Sequence, residues 1–290
     1  MAYLFRIKSA GKTNLNQLSM RIIFAFVMLV AFFISCNDHS TKDSPITKAS
    51  PSIPVINYAV TKFFPHDTNL YTEGLLVHEG KLFESTGSPD DLPQTRSLIG
   101  IIDLATGKMD IKVEIDRKKY FGEGIVILNN KLYQLTYTNQ VGFIYDLQSF
   151  KKNGQFEYAN EQGWSLTTNG KEIIMSDGTD KLTFFDTASI KPIRTLAVTE
   201  NGVPVEKLNE LEYINGFIYA NIFMTGFIVK IDPANGKVVG RLDFTSLEFE
   251  AKNKNPNADV LNGIAYDAAT DKIYVTGKLW PNIYQIEFAH

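Results

Sequence analysis

Five segments of this 290-residue chain repeat one pattern, and no other feature of the sequence limits the fold as much. They read EGLLVHEGKLFESTG, EGIVILNNKLYQLTY, WSLTTNGKEIIMSDG, NELEYINGFIYANIF and NGIAYDAATDKIYVTGK. Each holds an apolar strand, a turn such as Asn129-Asn130 or Asn215-Gly216, and a second strand. The copies begin at Glu73, Glu123, Trp164, Asn209 and Asn262, spaced 50, 41, 45 and 53 residues apart. Phe83, Tyr133, Ile174, Tyr219 and Tyr274 mark the middle of the second strands. After four copies a third strand ends at Asp103, Asp146, Asp186 or Asp232, and DLATGK and DPANGK turn tightly into a fourth. Four strands per unit of roughly 40–50 residues make a β-propeller blade, so the chain is predicted to be all-β, with five blades. The last copy is one strand short. Ile56 to Pro65, INYAVTKFFP, is a spare strand ahead of the first copy. It is expected to complete the last blade and close the ring, which removes open sheet edges. A barrel or sandwich is the alternative, but neither needs such a period.

The first 36 residues differ from the rest. They carry Arg6, Lys8, Lys12 and Arg21 and no acid, and Ile22 to Ile34 is an unbroken apolar run of 13 residues. That run is too short for a membrane-spanning helix and fits the apolar core of a secretory signal. It ends in Ser35-Cys36, and a small residue before the single cysteine of the chain resembles a bacterial lipoprotein cleavage box. On that reading Cys36 is the lipidated first residue of an exported protein in the bacterial cell envelope, with Met20 as an alternative start; the other reading is an ordinary signal peptide in which the cysteine is incidental. One cysteine excludes an internal disulfide framework. Residues 37–54, with Pro45, Pro51 and Pro54 among Ser, Thr and Lys, read as a flexible linker, which leaves 55–290 for the propeller. The net charge is −3, and removing the four basic residues of 1–36 leaves 25 basic against 32 acidic side chains. No basic field for nucleic acid exists.

A propeller turns this repeat into a three-dimensional expectation. The starts of the first strands and the ends of the second strands share one rim of the central channel. Glu73, Glu123, Trp164, Asn209 and Asn262 form one set; Gly87, Tyr137, Gly178, Phe223 and Lys278 form the other. Singly, each has an ordinary structural role. The acids could receive backbone N–H bonds, the aromatics could fill core, Lys278 could snorkel, Asn209 could cap a turn and Asn262-Gly263 could form one. Convergence on one rim is the argument for a small-ligand pocket. Phe121 to Val126, FGEGIV, sharpens it, because glutamate is a poor strand residue and rarely buried unless paired. The four histidines, His39, His66, His78 and His290, lie off the rim, so neither a His-rich metal site nor a Ser–His–acid triad is indicated. Proton chemistry at this rim falls to a carboxylate.

The stretches FPHDTNLYTEGL, YFGEGI, KLYQLTY, GWSL, SDGT, LNELEYING and DVLNGIAYD…IYVTGKLWPNIYQIE, in this order from Phe64 to the C-terminus, resemble the plant-type glutaminyl cyclases, a family also found in bacteria. The resemblance implies a five-bladed propeller and release of ammonia from an N-terminal glutamine to leave pyroglutamate. It implies catalytic roles for Glu123, Asn209 and Lys278, and a pocket of Tyr71, Glu73, Phe121, Tyr137, Trp164 and Phe223. Tyr137 and Phe223 replace expected tryptophans. Glu73 replaces a frequent glutamine, and its charge is expected to help hold an α-ammonium group. Glu123 is expected to shuttle protons while Asn209 and Lys278 hold the amide oxygen. The implied partners are peptides or proteins with N-terminal glutamine, acted on by a monomer that needs no cofactor, with structural Ca²⁺ as an option. Two other classes stand beside this one. One is a metal-dependent propeller hydrolase of lactonase type, with Glu73, Glu123, Asn209 and Asn262 on Ca²⁺. The other is a non-catalytic envelope propeller that binds a protein or glycan.

Overall fold

Twenty strands of the computed structural model, which describes residues 52–290, fall into five antiparallel four-stranded sheets arranged as propeller blades. The signal segment, Cys36 and residues 37–51 of the linker lie outside the described residues. The innermost strands of the blades are Tyr71–His78, Gly122–Leu128, Ser165–Thr168, Leu208–Ile214 and Leu261–Asp267. Each blade meets the next through a separate apolar slab; Leu76, Phe83 and Ile99 of the first, for example, pack on Ile125, Leu132 and Phe143 of the second. An inner strand is thus covered on both faces, which explains why GEGIVIL is nearly all buried while the outer strand PIRTLA is mostly exposed. The five second-strand markers from Phe83 to Tyr274 are buried in these slabs.

The hairpin turns follow the expected chemistry. Asn129-Asn130 and Asn215-Gly216 take the left-handed conformation that two-residue turns between twisted strands require. At Asp103, Asp146, Asp186 and Asp232 the carboxylate accepts a backbone N–H two or three residues on.

Tyr58–Pro65 pairs with Asn282–Phe288 as the outermost strand of the fifth blade, so the spare strand closes the ring as expected. The folded unit begins slightly before residue 55. Ile53 packs against the slab between the third and fourth blades, and Arg241 N–H donates to the Pro54 carbonyl. Two elements were not legible in the sequence. A short hairpin, Thr199–Glu200 with Val203–Pro204, follows the third blade. A helix, Thr245–Lys254, joins the fourth and fifth. Only Leu247 and Ala251, one turn apart, are buried on that helix, too little apolar surface for a helical stripe to show.

Candidate active site

Four of the five inner strands carry a register break where the copies begin: between Thr72 and Gly74, Gly122 and Ile125, Leu208 and Leu211, and Leu261 and Ile264. Each is a β-bulge, which takes a residue out of the ladder and re-aims its side chain. Glu73, Glu123, Asn209 and Asn262 sit in these breaks. The freed backbone carbonyls still need donors. Ser85 Oγ donates to Glu123 O and Ser176 Oγ to Asn209 O, both at 2.7 Å and both from the second strand of the preceding blade. The glycines beside Glu123 serve the same close approach. A Cβ on Gly124 would stand 2.5 Å from Ser165 Cα, and Gly124 N–H donates to Trp164 O at 2.9 Å. A Cβ on Gly122 would meet Thr86 O at 2.8 Å. These glycines therefore admit neighbouring blades.

All nine residues assigned to the pocket from sequence line one cup of about 200 Å³, together with Pro89, which sequence reasoning missed. Glu73, Glu123, Asn209 and Lys278 are 2%, 4%, 3% and 5% exposed. Tyr71, Phe121 and Tyr137 form one wall, with Phe121 6.4 Å and 5.9 Å from its neighbours between ring centroids. Trp164 and Phe223 form the other at 5.4 Å. The Lys278 ammonium bridges the walls, 4.5 Å from the Tyr71 ring and 5.5 Å from that of Phe223. Gly87 and Gly178, the two glycines of the rim set, leave space for the Phe121 and Trp164 rings.

The polar groups divide the work. Lys278 Nζ donates to both Glu73 oxygens at 2.7 Å, and Asn262 Nδ2 donates to Glu73 Oε2 at 3.3 Å and to Thr72 O at 2.9 Å. Asn262-Gly263 is thus a bulge that ties the fifth blade to the first, where the sequence suggested a turn. Glu73 is engaged by the lysine, so its charge has a partner within the protein. The same contact argues against the four-oxygen Ca²⁺ set, because an ammonium already occupies the carboxylate. Among the described residues no three His, Cys, Asp or Glu side chains gather as a metal site. Among the described residues the buried Asn209 Oδ1, an acceptor, has no hydrogen-bond partner.

Burial pushes the Glu123 carboxyl well above its usual range, the nearby Glu73 charge adds to this, and Lys278 opposes it. Burial also lifts Glu73, against the pull of Lys278, to about 7. Tyr71 is held in its protonated form by burial and by Glu73, and donates to Asp259 Oδ2 at 3.1 Å.

Supporting residues lay outside sequence reasoning. Trp164 Nε1 donates to Gln162 Oε1 at 2.8 Å, which fixes the indole. Behind the cup, buried His66 joins Glu84 Oε2 at 2.9 Å and Trp280 O at 2.8 Å, while Thr72 Oγ1 donates to Glu84 Oε1 at 2.8 Å. This knot braces Glu73 through Thr72, and Lys278 through Trp280. The only signal for it was His66 in FPHDTNLYTEGL, part of the family-like stretch.

A ring-closed propeller with an acid, a carboxamide and an ammonium in one aromatic cup is equipped to move protons on a small polar group under exclusion of water. Comparison with known proteins narrows that class. The sequence profile described as glutamine cyclotransferase matches residues 28–288. The glutaminyl-peptide cyclotransferase of Arabidopsis thaliana is 39% identical over 226 residues, which is 77% of this chain and 69% of that protein. The crystal structure of Myxococcus xanthus glutaminyl cyclase superposes with a TM-score of 0.72 at 34% identity, covering 81% of this chain and 98% of that one. The chain belongs to the glutamine cyclotransferase family.

Proposed function

We propose that this protein converts the N-terminal glutamine of peptides or proteins to pyroglutamate, with release of ammonia. The observation that carries this reading is the cup itself, which gathers Glu123, Asn209 and Lys278 inside one aromatic wall. Its volume of about 200 Å³ is small beside the roughly 300–1,000 Å³ of pockets for drug-sized ligands. It suits a single side chain, with the rest of the peptide outside.

The substrate brings its own nucleophile. Its α-amine, with a pKa near ~7.7–8.0, attacks the side-chain amide carbon and forms a five-membered ring. The amide C–N bond breaks and ammonia leaves. One proton must leave the attacking amine and one must reach the departing nitrogen. Glu123 is the acid that can do both, since burial moves its pKa toward working pH. The Asn209 Nδ2–H and a Lys278 N–H donate to the oxygen as it gains charge. The purified protein should release ammonia from a Gln-initiated peptide, with loss of one NH₃ in mass, and should do so with a chelator present. A Glu-initiated control should react far more slowly, because a carboxylate is the poorer electrophile. No turnover of any Gln-initiated peptide would support the binding-propeller alternative.

The location is proposed on residues 1–36 alone. The basic segment, the apolar run and Ser35-Cys36 support export and lipid attachment at Cys36 in the cell envelope. Labelled palmitate should enter the wild-type protein and not Cys36→Ser.

A further inference from the structure

The cup holds two buried carboxyl groups where the proposed chemistry employs one. Glu73 is the second, and its contacts define it. Both of its oxygens lie 2.7 Å from Lys278 Nζ, and the two side chains are 2% and 6% exposed. An ammonium has three donors, so Glu73 takes two and leaves one. The fixed rings of Tyr71 and Phe223 bound the space around that nitrogen.

We propose that Glu73 is a positioning residue for the cyclisation: it pins the Lys278 ammonium at the cup wall with one N–H free for the substrate amide oxygen, and cancels the lysine charge beside Glu123, so that Glu123 enters the cycle as an acid. The inference rests on the cyclase reading of the same cup. It also orders the proton steps. Glu123 O–H first gives its proton to the side-chain nitrogen as the amine closes the ring and the C–N bond breaks. The ionised Glu123 then takes the surplus proton of the former amine, which restores the resting acid. Atoms and charge balance without a co-reactant.

The charges facing Glu123 support this assignment. Glu73 and Lys278 act on it in opposite directions. Tyr71, Tyr137 and Tyr158 are phenols kept protonated chiefly by burial. Asp259 is directed to the Tyr71 hydroxyl. Of the two carboxyls, Glu73 ionises first, because the ammonium holds both its oxygens. Without its charge, Lys278 stands unopposed beside Glu123 and favours the carboxylate.

The test is an infrared titration of the protonated carboxyl band, assigned to Glu123 by its loss in Glu123→Gln. In the wild type the band should persist through neutral pH. In Glu73→Gln it should titrate about 1–3 pH units lower, the range expected when an opposite charge is left unopposed. The basic limb of the kcat profile should move down with it. Glu73→Asp, which keeps the charge, should leave the band at its wild-type position. A Glu123 band that titrates alike in wild type and Glu73→Gln overturns the proposal, whatever the activity. A band that moves in a protein that cyclises no peptide upholds the charge relation and overturns the cyclase reading instead.

Discussion

Replacing Glu123 with glutamine separates proton transfer from architecture. The substitution is nearly isosteric, and the bonds that hold the bulge involve the backbone: Ser85 Oγ to Glu123 O at 2.7 Å, and Gly122 N–H to Ser97 Oγ at 3.1 Å. Both survive. Stability should even improve toward alkaline pH. Burial and Glu73 raise the Glu123 carboxyl, so the native state binds its proton more tightly than the unfolded chain. Ionisation therefore costs stability progressively as pH rises above the ordinary glutamate value of about 4.3, and glutamine avoids that cost. The melting-temperature difference should grow in favour of Glu123→Gln between about pH 5 and pH 8. Catalysis should move the other way. Loss of a positioned acid–base group costs about 10²–10⁴-fold in kcat, or about 2.7–5.4 kcal/mol of barrier at 1.36 kcal/mol per decade. KM should change little, because the aromatic walls are intact. Continuous ammonia detection with a Gln-initiated peptide measures both constants. A folded Glu123→Gln protein with wild-type kcat would refute the reasoning.

Three further perturbations probe separate parts of the design. Asn209→Ala should lower kcat by about 10²–10³-fold with the fold retained, as loss of one oxyanion donor does, and steady-state kinetics will show whether the loss falls on kcat or KM. Gly124→Ala forces a Cβ to within 2.5 Å of Ser165 Cα, so the second and third blades must part; a loss of about 1–3 kcal/mol in urea unfolding is expected, and an unchanged midpoint would deny that the contact is tight. His66→Gln tests the buried knot. Its partner Glu84, together with the Trp280 carbonyl, holds the His66 pKa up against the opposing effect of burial. The stabilisation from the charged pair is thus fully present below the unfolded value near ~6.5 and is lost as pH rises through the folded value. The variant's deficit in urea should be largest at acid-side pH, at about 3–5 kcal/mol for a broken buried pair, and should shrink above that window. A deficit independent of pH would count against a charged His66.

The blade count and the ring closure were legible because inner strands covered on both faces leave continuous apolar runs, and because Asp- and Asn-based turns punctuate them at a steady interval. The pocket residues were legible for a related reason: equivalent points of a repeat must meet at one rim. Pairing was not. Nothing in TGKLWP says that Lys278 turns to Glu73 across a separation of 205 residues. Asn262-Gly263 misled because a bulge and a turn ask for the same dipeptide. His66 and Glu84 carry no periodic signal, and their bond depends on how two blades meet.

The strand that completes the fifth blade has a consequence for when this protein becomes competent. Tyr58 must find Phe288, at nearly the opposite end of the folded chain. Lys278 and Asp259 of the completed blade reach Glu73 and Tyr71 across its seam with the first blade. No nascent or clipped chain lacking its final segment can assemble these contacts. Turnover therefore requires that the fifth blade has closed on the first, since the cup takes side chains from both.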